Sequence, residues 1–161
     1  MTREQFVTYA RSSQEALRRF LTGLCCGDTA LADDIAQETY IKAYLAADTF
    51  RDPACFSAWI YRIAYNTFVS SRRASRTMVG IDTLADSRAE ERADDSFRYQ
   101  ELYAALDRLS EKERTSILLY YMEGRQINEI AQIIDSTTDA VKQQLSRGRS
   151  HLRTILKTTS L

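Results

Sequence analysis

The chain has 161 residues, of which 44% are hydrophobic and 27% are charged, a mixture typical of globular rather than disordered proteins. No apolar run approaches the roughly 20 residues that a membrane span requires, and the amino terminus lacks the apolar core of a signal peptide. We therefore expect no membrane insertion and a cytoplasmic location. The formal net charge is zero, which taken alone argues weakly against nucleic-acid binding.

The cysteines and the single histidine do not indicate a metal site. Cys25 and Cys26 are adjacent, whereas Cys55 and His151 are distant in sequence. Because this is not the spacing of zinc ligands, we expect no metal and no other cofactor. We interpret all three cysteines as small apolar packing residues in a reducing compartment.

The first half of the chain predicts three helices. Thr2 and Gln5 form a capping-box pattern that opens the first helix. The pair Gly27-Asp28 predicts its end and the start of a second helix, over about residues 29–47. Pro53 predicts the start of a third helix that fades near residue 76. One face of that helix has the spacing of a buried stripe, and its residues are Phe56, Trp59, Ile60, Ile63, Ala64 and Thr67.

Charge is distributed unevenly along the chain. Residues 56–76 and 136–157 are basic, whereas acidic residues crowd into 77–95, a segment without sustained periodicity. We interpret that segment as a flexible acidic linker. The predicted fold is therefore all-α, with two small helical domains, 1–76 and 96–161, on either side of the linker.

The second half predicts four further helices. One resumes near Ser96, and a capping box at Ser110 and Glu113 opens the next, which ends at Gly124. A short helix covers residues 127–134. Ser136, three residues before Asp139, then predicts the start of a final helix that reaches about residue 158.

The last two of these helices have the features of a helix-turn-helix. Ala131 supplies the small residue of the first helix, and the turn falls at Asp135-Ser136. Gly148 lies on the inner face of the final helix, where it would allow close approach of a neighbour. The outer face is polar and basic, which suits phosphates and base edges. The alternative is a helical bundle whose basic face is merely solvated.

Two parts of the sequence resemble the RNA polymerase sigma factors of bacteria. The stretches DDIAQETYIKAYLAADTF (33–50) and WIYRIAYNTFVSSRR (59–73) resemble sigma region 2. The segment 106–153, with LDRLSEKERTSILLYYMEG, INEIAQII and DAVKQQLSRGRSHLR, resembles region 4. The order of the two parts and the short linker are similar to the extracytoplasmic-function group, which keeps only these two regions.

The resemblance implies three functional surfaces. The surface that docks on core polymerase, at the clamp helices of the largest subunit, would comprise Asp33, Asp34, Gln37, Glu38 and Tyr40. The reader of the minus-ten element, which captures a flipped base, would comprise Phe56, Trp59, Arg62, Asn66 and Arg73. The reader of the minus-thirty-five element would comprise Thr137, Thr138, Lys142, Gln143, Ser146, Arg147, Arg149 and Arg153.

The resemblance also implies partners. They are core polymerase, contacted at the clamp helices and the flap, promoter DNA and an anti-sigma factor; no small-molecule substrate is implied. The acidic linker would be threaded toward the active-site cleft of the polymerase.

The sequence departs from the family pattern at a few positions. Ser70 stands where aspartate is common, and Asp135 stands where the turn usually has glycine. Gln143 and Gln144 replace a common Ser-Arg pair. Because glutamine favours adenine and arginine favours guanine, we expect a minus-thirty-five sequence that is less rich in guanine.

Further expectations concern the histidine and three individual aromatic residues. We expect Trp59 to belong mainly to the bundle core, with direct base contact as the alternative. We expect His151 to contact a phosphate or nothing. Tyr120 and Tyr121 are expected in the core and on the surface between the domains.

Two other classes of function compete with this interpretation of the sequence. A helix-turn-helix regulator that is not a polymerase subunit could share the C-terminal module. A response regulator would need strands that alternate with helices in the first half, and none is predicted. An enzyme is not indicated, because the chain offers neither a cysteine–histidine constellation nor a glycine-rich phosphate loop.

Overall fold

Seven α-helices dominate the part of the chain that the structure, a computed structural model, describes: residues 1–77 and 96–159. No strand occurs in these two ranges, so the predicted all-α class is confirmed. Apart from residue 77, the predicted linker lies outside the described residues. No helix in the described ranges is long and apolar enough to cross a membrane.

The N-terminal bundle consists of α1 (Arg3–Leu24), α2 (Thr29–Leu45) and α3 (Phe56–Thr77). The predicted capping box is present, because the Thr2 hydroxyl accepts from the Gln5 amide at 3.2 Å and the Gln5 side chain accepts from the Thr2 amide at 2.9 Å. Gly27 takes a positive φ of 88°, and Asp28 caps α2. Turns of 3-10 helix at Ala47–Thr49 and Pro53–Cys55 lead into α3.

The core of this bundle is built mainly from α1 and α3. In α1 the side chains of Leu17, Phe20, Leu21 and Leu24 are fully buried. In α3 the buried face is wider than predicted and includes Tyr61 and Tyr65, whereas Trp59 and Ile63 are only half-buried. The reason is that the second half of the chain packs on α3 and covers a second side of the helix.

The C-terminal bundle consists of α4 (Ser96–Asp107), α5 (Glu111–Ile117), α6 (Ile127–Ile133) and α7 (Thr138–Thr159). The capping box at Ser110 and Glu113 is confirmed. Beyond α5 the chain continues as a π-helical segment, Leu118–Met122, which the sequence did not predict. Gly124 follows two residues after the end of this segment, and its φ of 66° fits the predicted stop.

The helix-turn-helix is present, and the residue that caps its second helix differs from the prediction by one position. Asp135 has a φ of 54°, so aspartate adopts here the left-handed backbone that glycine usually supplies. The cap of α7 is Thr137 rather than the predicted Ser136, because the Thr137 hydroxyl accepts from the Ala140 amide at 3.1 Å. Ala131 is buried, as a close helix pair requires.

Gly148 allows α7 to lie directly on α5. A Cβ atom at this position would stand 2.9 Å from Cγ1 of Ile117. The close approach that the sequence predicted is therefore confirmed, and it fixes α7 with its basic face outward.

Replacing Gly148 by leucine is expected to destabilise the protein by about 2 kcal/mol, because overpacking a filled contact typically costs 1–3 kcal/mol. Ser150→Leu, at an exposed position of the same helix, is the matched control and should change stability by less than about 0.5 kcal/mol. Urea unfolding measures both. Equal stability of the two variants would contradict the packing described here.

The two bundles pack against each other. Arg114 of α5, only 3% exposed, donates to the carbonyl oxygens of Leu106 at 2.9 Å and Leu109 at 3.3 Å within its own bundle. Across the interface it donates to the Leu24 carbonyl, at the end of α1, at 2.8 Å. A buried guanidinium is stable only when its donors are satisfied, so this contact couples the bundles.

The cysteines do not all match the prediction. Cys25 and Cys26 are buried, and burial raises the pKa of the Cys25 thiol to about 12, so this group stays protonated and unreactive. Cys55 is exposed instead of packed. It lies in the 3-10 turn before α3, where its thiol donates to the Asp52 carboxylate at 3.4 Å.

Candidate nucleic-acid interface

The outward face of α7 carries a continuous group of polar and basic side chains. Its members are the predicted residues Thr138, Lys142, Gln143, Ser146, Arg147, Arg149 and Arg153, all of them exposed. The opposite face is held down by Val141 and Leu145, which are buried in the bundle core. Hydrogen-bond donors on an exposed helix of this length, 22 residues, can reach phosphates and base edges in a major groove.

Contacts within the bundle limit what some of these side chains can do. The hydroxyl of Ser116 donates to the Gln144 side chain at 2.8 Å, and Gln144 is half-buried. Of the two glutamines that depart from the family pattern, Gln143 is therefore the one presented outward. Arg149 donates to the Tyr121 hydroxyl at 3.1 Å. Thr137 is committed to the cap of α7.

A second row of side chains lies along α3. Arg62, Asn66 and Arg73 are exposed and share one face with Trp59, at helical spacings of three, four and seven. The Trp59 ring is half-buried and stacks on Phe50, with ring centroids 4.4 Å apart and planes at 16°. A face with a flat aromatic pair and cations suits single-stranded bases, which stack and carry phosphates.

The structure places the ring of Phe56 in the core and not on the exposed face of α3. This ring is 4% exposed and packs edge-on against Phe6 and Phe50. It therefore supports the Phe50–Trp59 pair from beneath and does not present itself to a base in this arrangement.

The third surface is the acidic side of α2. Asp34, Gln37 and Glu38 are exposed, and Glu38 pairs with Lys42 at 3.3 Å. The other two predicted members are turned toward α1, since Asp33 pairs with Arg18 at 3.1 Å and the half-buried Tyr40 donates to the Ala10 carbonyl at 3.5 Å. Burial raises the pKa of Tyr40.

Comparisons with known proteins match both halves of the chain. Residues 9–77 match the family described as Sigma-70 region 2, and residues 99–152 match Sigma-70, region 4. The chain is 31% identical over 146 residues to the ECF RNA polymerase sigma factor SigW of Bacillus subtilis, with 81% of this chain and 78% of that protein covered. The chain belongs to the extracytoplasmic-function sigma factors.

Other relatives agree with this assignment. The chain is 33% identical over 132 residues to the ECF RNA polymerase sigma-E factor of Haemophilus influenzae, with 72% of this chain and 69% of that protein covered. Among solved structures, the sigma factor RpoE of Bartonella quintana, in complex with the anti-sigma factor NepR, matches with a TM-score of 0.78 and 28% identity. The match covers 94% of this chain and 96% of that chain.

Several residues of this sigma factor lie elsewhere than the sequence predicted. His151 contacts the Glu113 carboxylate at 3.0 Å rather than facing a phosphate or nothing. Tyr120 and Tyr121 are 39% and 57% exposed, so neither belongs to the core. Trp59 is less buried than expected, because it lies at the rim of the bundle beside Phe50.

Sequence reasoning missed the residues that join the two halves of this sigma factor. Arg19, Tyr61, Arg114 and Glu123 make polar contacts across the interface. No motif marks them, since each contact joins residues distant in sequence. The charge distribution does indicate that the halves can associate, because segments of opposite charge occur in a chain of zero net charge.

Proposed function

We propose that this sigma factor directs core polymerase to promoters by the three surfaces described above. The acidic face of α2 docks on the clamp helices, the aromatic and basic row of α3 reads the minus-ten element, and the outer face of α7 reads the minus-thirty-five element. The observation that carries the proposal is that one chain presents two separate DNA-suited faces and an acidic face distinct from both. The chain itself supplies no catalysis, since bond formation belongs to the polymerase.

The docking role rests on Asp34, Gln37 and Glu38. These side chains project from one stretch of α2 and are not turned toward α1. Like charges placed close together weaken a helix by a few tenths of a kcal/mol, a small cost that a docking function explains. Carboxylates at a partner's basic surface give specificity and speed association.

The minus-ten role rests on the Phe50–Trp59 pair and the cations beside it. A base extruded from the duplex can stack on an aromatic plane, and stacking is worth about 1–3 kcal/mol per base. Arg62 and Arg73 supply charge for the single-strand phosphates, and Asn66 supplies both a donor and an acceptor for a base edge.

The minus-thirty-five role rests on α7, with Gln143 as the base reader and the arginines as phosphate anchors. Because the amide of glutamine pairs with adenine, we infer a preference at that position for adenine over guanine. Selection of bound DNA sequences by the holoenzyme tests this preference, and enrichment of guanine opposite Gln143 would contradict it.

Regulation by an anti-sigma factor forms part of the proposal. It is supported by the likeness to the Bartonella quintana sigma factor, which was solved with the anti-sigma factor NepR. We place the protein in the bacterial cytoplasm, where it meets polymerase and joins the nucleoid when active.

Reconstitution with core polymerase tests the function as a whole. Purified chain is added to core enzyme from the same bacterium, and the 5′ ends of transcripts from fragmented genomic DNA are mapped. We expect a defined set of start sites that require the chain and share two upstream motifs. A helix-turn-helix regulator that is not a polymerase subunit would bind DNA without conferring starts on core enzyme.

A further inference from the structure

We propose that the two bundles hold each other in a self-inhibited closed form, fastened by a latch in which the buried Glu123 carboxylate meets the exposed Arg19 and the buried Tyr61. This inference rests on the proposed function, because it concerns how the two promoter readers become available. Three conditions must hold. The chain must be closed when it is free of partners, and the closed chain must be unable to read a promoter. Loss of the latch contacts must open it.

The latch is a buried carboxylate of the C-terminal bundle that is satisfied by the N-terminal bundle. The Glu123 side chain is 2% exposed. Nε of Arg19 lies 3.1 Å from its Oε2, and the Tyr61 hydroxyl donates to its Oε1 at 2.6 Å. Burial, reinforced by the Glu123 carboxylate, raises the pKa of the Tyr61 phenol, which therefore stays a donor at neutral pH.

Further contacts between the two bundles surround the latch. Gly23 of α1 is buried, and a Cβ there would lie 2.9 Å from Cδ2 of Leu118 across the interface. Arg125 donates to Ser57 and lies over the Tyr61 ring, 4.8 Å from its centroid. The interface thus combines close packing with polar contacts, and among the described residues Nε of Arg125 is buried there without a hydrogen-bond partner.

In the closed form, the C-terminal bundle contacts cations of the minus-ten reader and of α3, the helix that carries it. Nη1 of Arg62 donates to the Gln132 carbonyl of the C-terminal bundle at 3.5 Å, and α6 packs on α3. Arg72 and Arg76 pair with Glu111 at 3.4 and 3.0 Å. Two cations on the reader's helix are thus paired with a carboxylate of the other half of the chain, and Arg62 is hydrogen-bonded to that half.

Geometry makes the closed form unable to read a whole promoter. The two elements are named for positions about 25 base pairs apart, and at about 3.4 Å per base pair their separation is about 85 Å. A helix of 22 residues, such as α3 or α7, is about 33 Å long. Because α3 contacts α6 and α6 contacts α7, the readers lie too close together to reach both elements.

Opening must therefore accompany formation of a working holoenzyme. When only an open fraction can bind productively, the apparent dissociation constant rises in inverse proportion to that fraction. If about 90% of the chains are closed, the apparent dissociation constant for core polymerase is about tenfold higher than that of the open form. Variants that open the latch regain this tenfold in affinity.

A charge-swap cycle on the full chain tests the latch. The variants are Arg19→Glu, Glu123→Arg and the double variant, with Glu101→Arg as a control at an exposed position on α4. Small-angle X-ray scattering measures the radius of gyration, and titration with core polymerase measures affinity. We expect each single variant to expand the chain and to tighten core binding about tenfold, and the double variant to restore both wild-type values.

Gly23→Ala provides a second, independent opening. Alanine favours the α1 helix more than glycine does, whereas its Cβ would press on Leu118 across the interface. We expect the same expansion and tighter core binding, with circular dichroism unchanged.

The outcomes are distinguishable. Single variants that stay as compact as the wild type, or that expand without tighter core binding, overturn the self-inhibited form. A double variant that behaves like the single ones overturns the Arg19–Glu123 pairing. If neither the wild type nor any variant binds core polymerase, the proposed function fails, whereas the scattering result still decides whether the latch holds the bundles together.

Discussion

Reversing two charges on α2, by Asp34→Arg together with Glu38→Arg, is expected to weaken binding to core polymerase by about 100-fold or more. Like charges brought together at an interface cost several kcal/mol, and each 1.4 kcal/mol is a factor of ten in affinity. Both side chains are exposed, so the variant should fold normally. Among the described residues, the ion pair lost is that between Glu38 and Lys42, at a cost of a few tenths of a kcal/mol.

The matched control reverses two exposed acids outside the docking surface, Glu4 on α1 and Glu101 on α4. Equilibrium titration of labelled chain with core polymerase measures both variants, and circular dichroism checks their helicity. If the Asp34 and Glu38 variant still binds core enzyme as the wild type does, the assignment of α2 as the docking surface is wrong.

Arg147→Ala is expected to weaken holoenzyme binding at the minus-thirty-five element by about tenfold and to lower the salt dependence. Each phosphate contact that is lost removes about one unit from the slope of log affinity against log salt. Arg147 is exposed on the outer face of α7, so its removal leaves no buried group unsatisfied.

Lys112→Ala removes an exposed cation from α5 instead and is the control. Filter binding of promoter fragments by the holoenzyme, at several salt concentrations, measures both. An unchanged slope for Arg147→Ala would show that this side chain does not meet a phosphate. A loss confined to certain sequences would instead indicate that it reads a base.

Local features of the fold were predictable from the sequence because short-range physics decides them. The capping boxes at Thr2 and Ser110 lie where the sequence places them. The close approach at Gly148 and the left-handed backbone at Asp135 were likewise expected from residue type and position. The one capping error, Ser136 in place of Thr137, is a shift of a single residue between two hydroxyl side chains.

What the sequence could not predict arises from contacts between distant residues. Tyr61 is buried because the C-terminal bundle covers it, and the Glu123 carboxylate beside it lies 62 positions further along the chain. Phe56 falls on the periodic face of α3 as expected, but only packing with Phe6 and Phe50 decides that it supports the aromatic pair from beneath. Likewise, Ser116 determines which of two adjacent glutamines faces outward.

Site-specific photocrosslinking in the holoenzyme tests most directly that one chain reads two promoter elements. A photoreactive residue is placed at Asn66 on α3 or at Gln143 on α7, and the crosslinked nucleotides are mapped on a promoter identified by reconstitution. We predict crosslinks in two clusters about 25 base pairs apart, or about 85 Å along the duplex, with the Asn66 cluster nearer the start site. Crosslinks from both positions to a single element, or from α7 alone, would contradict the account.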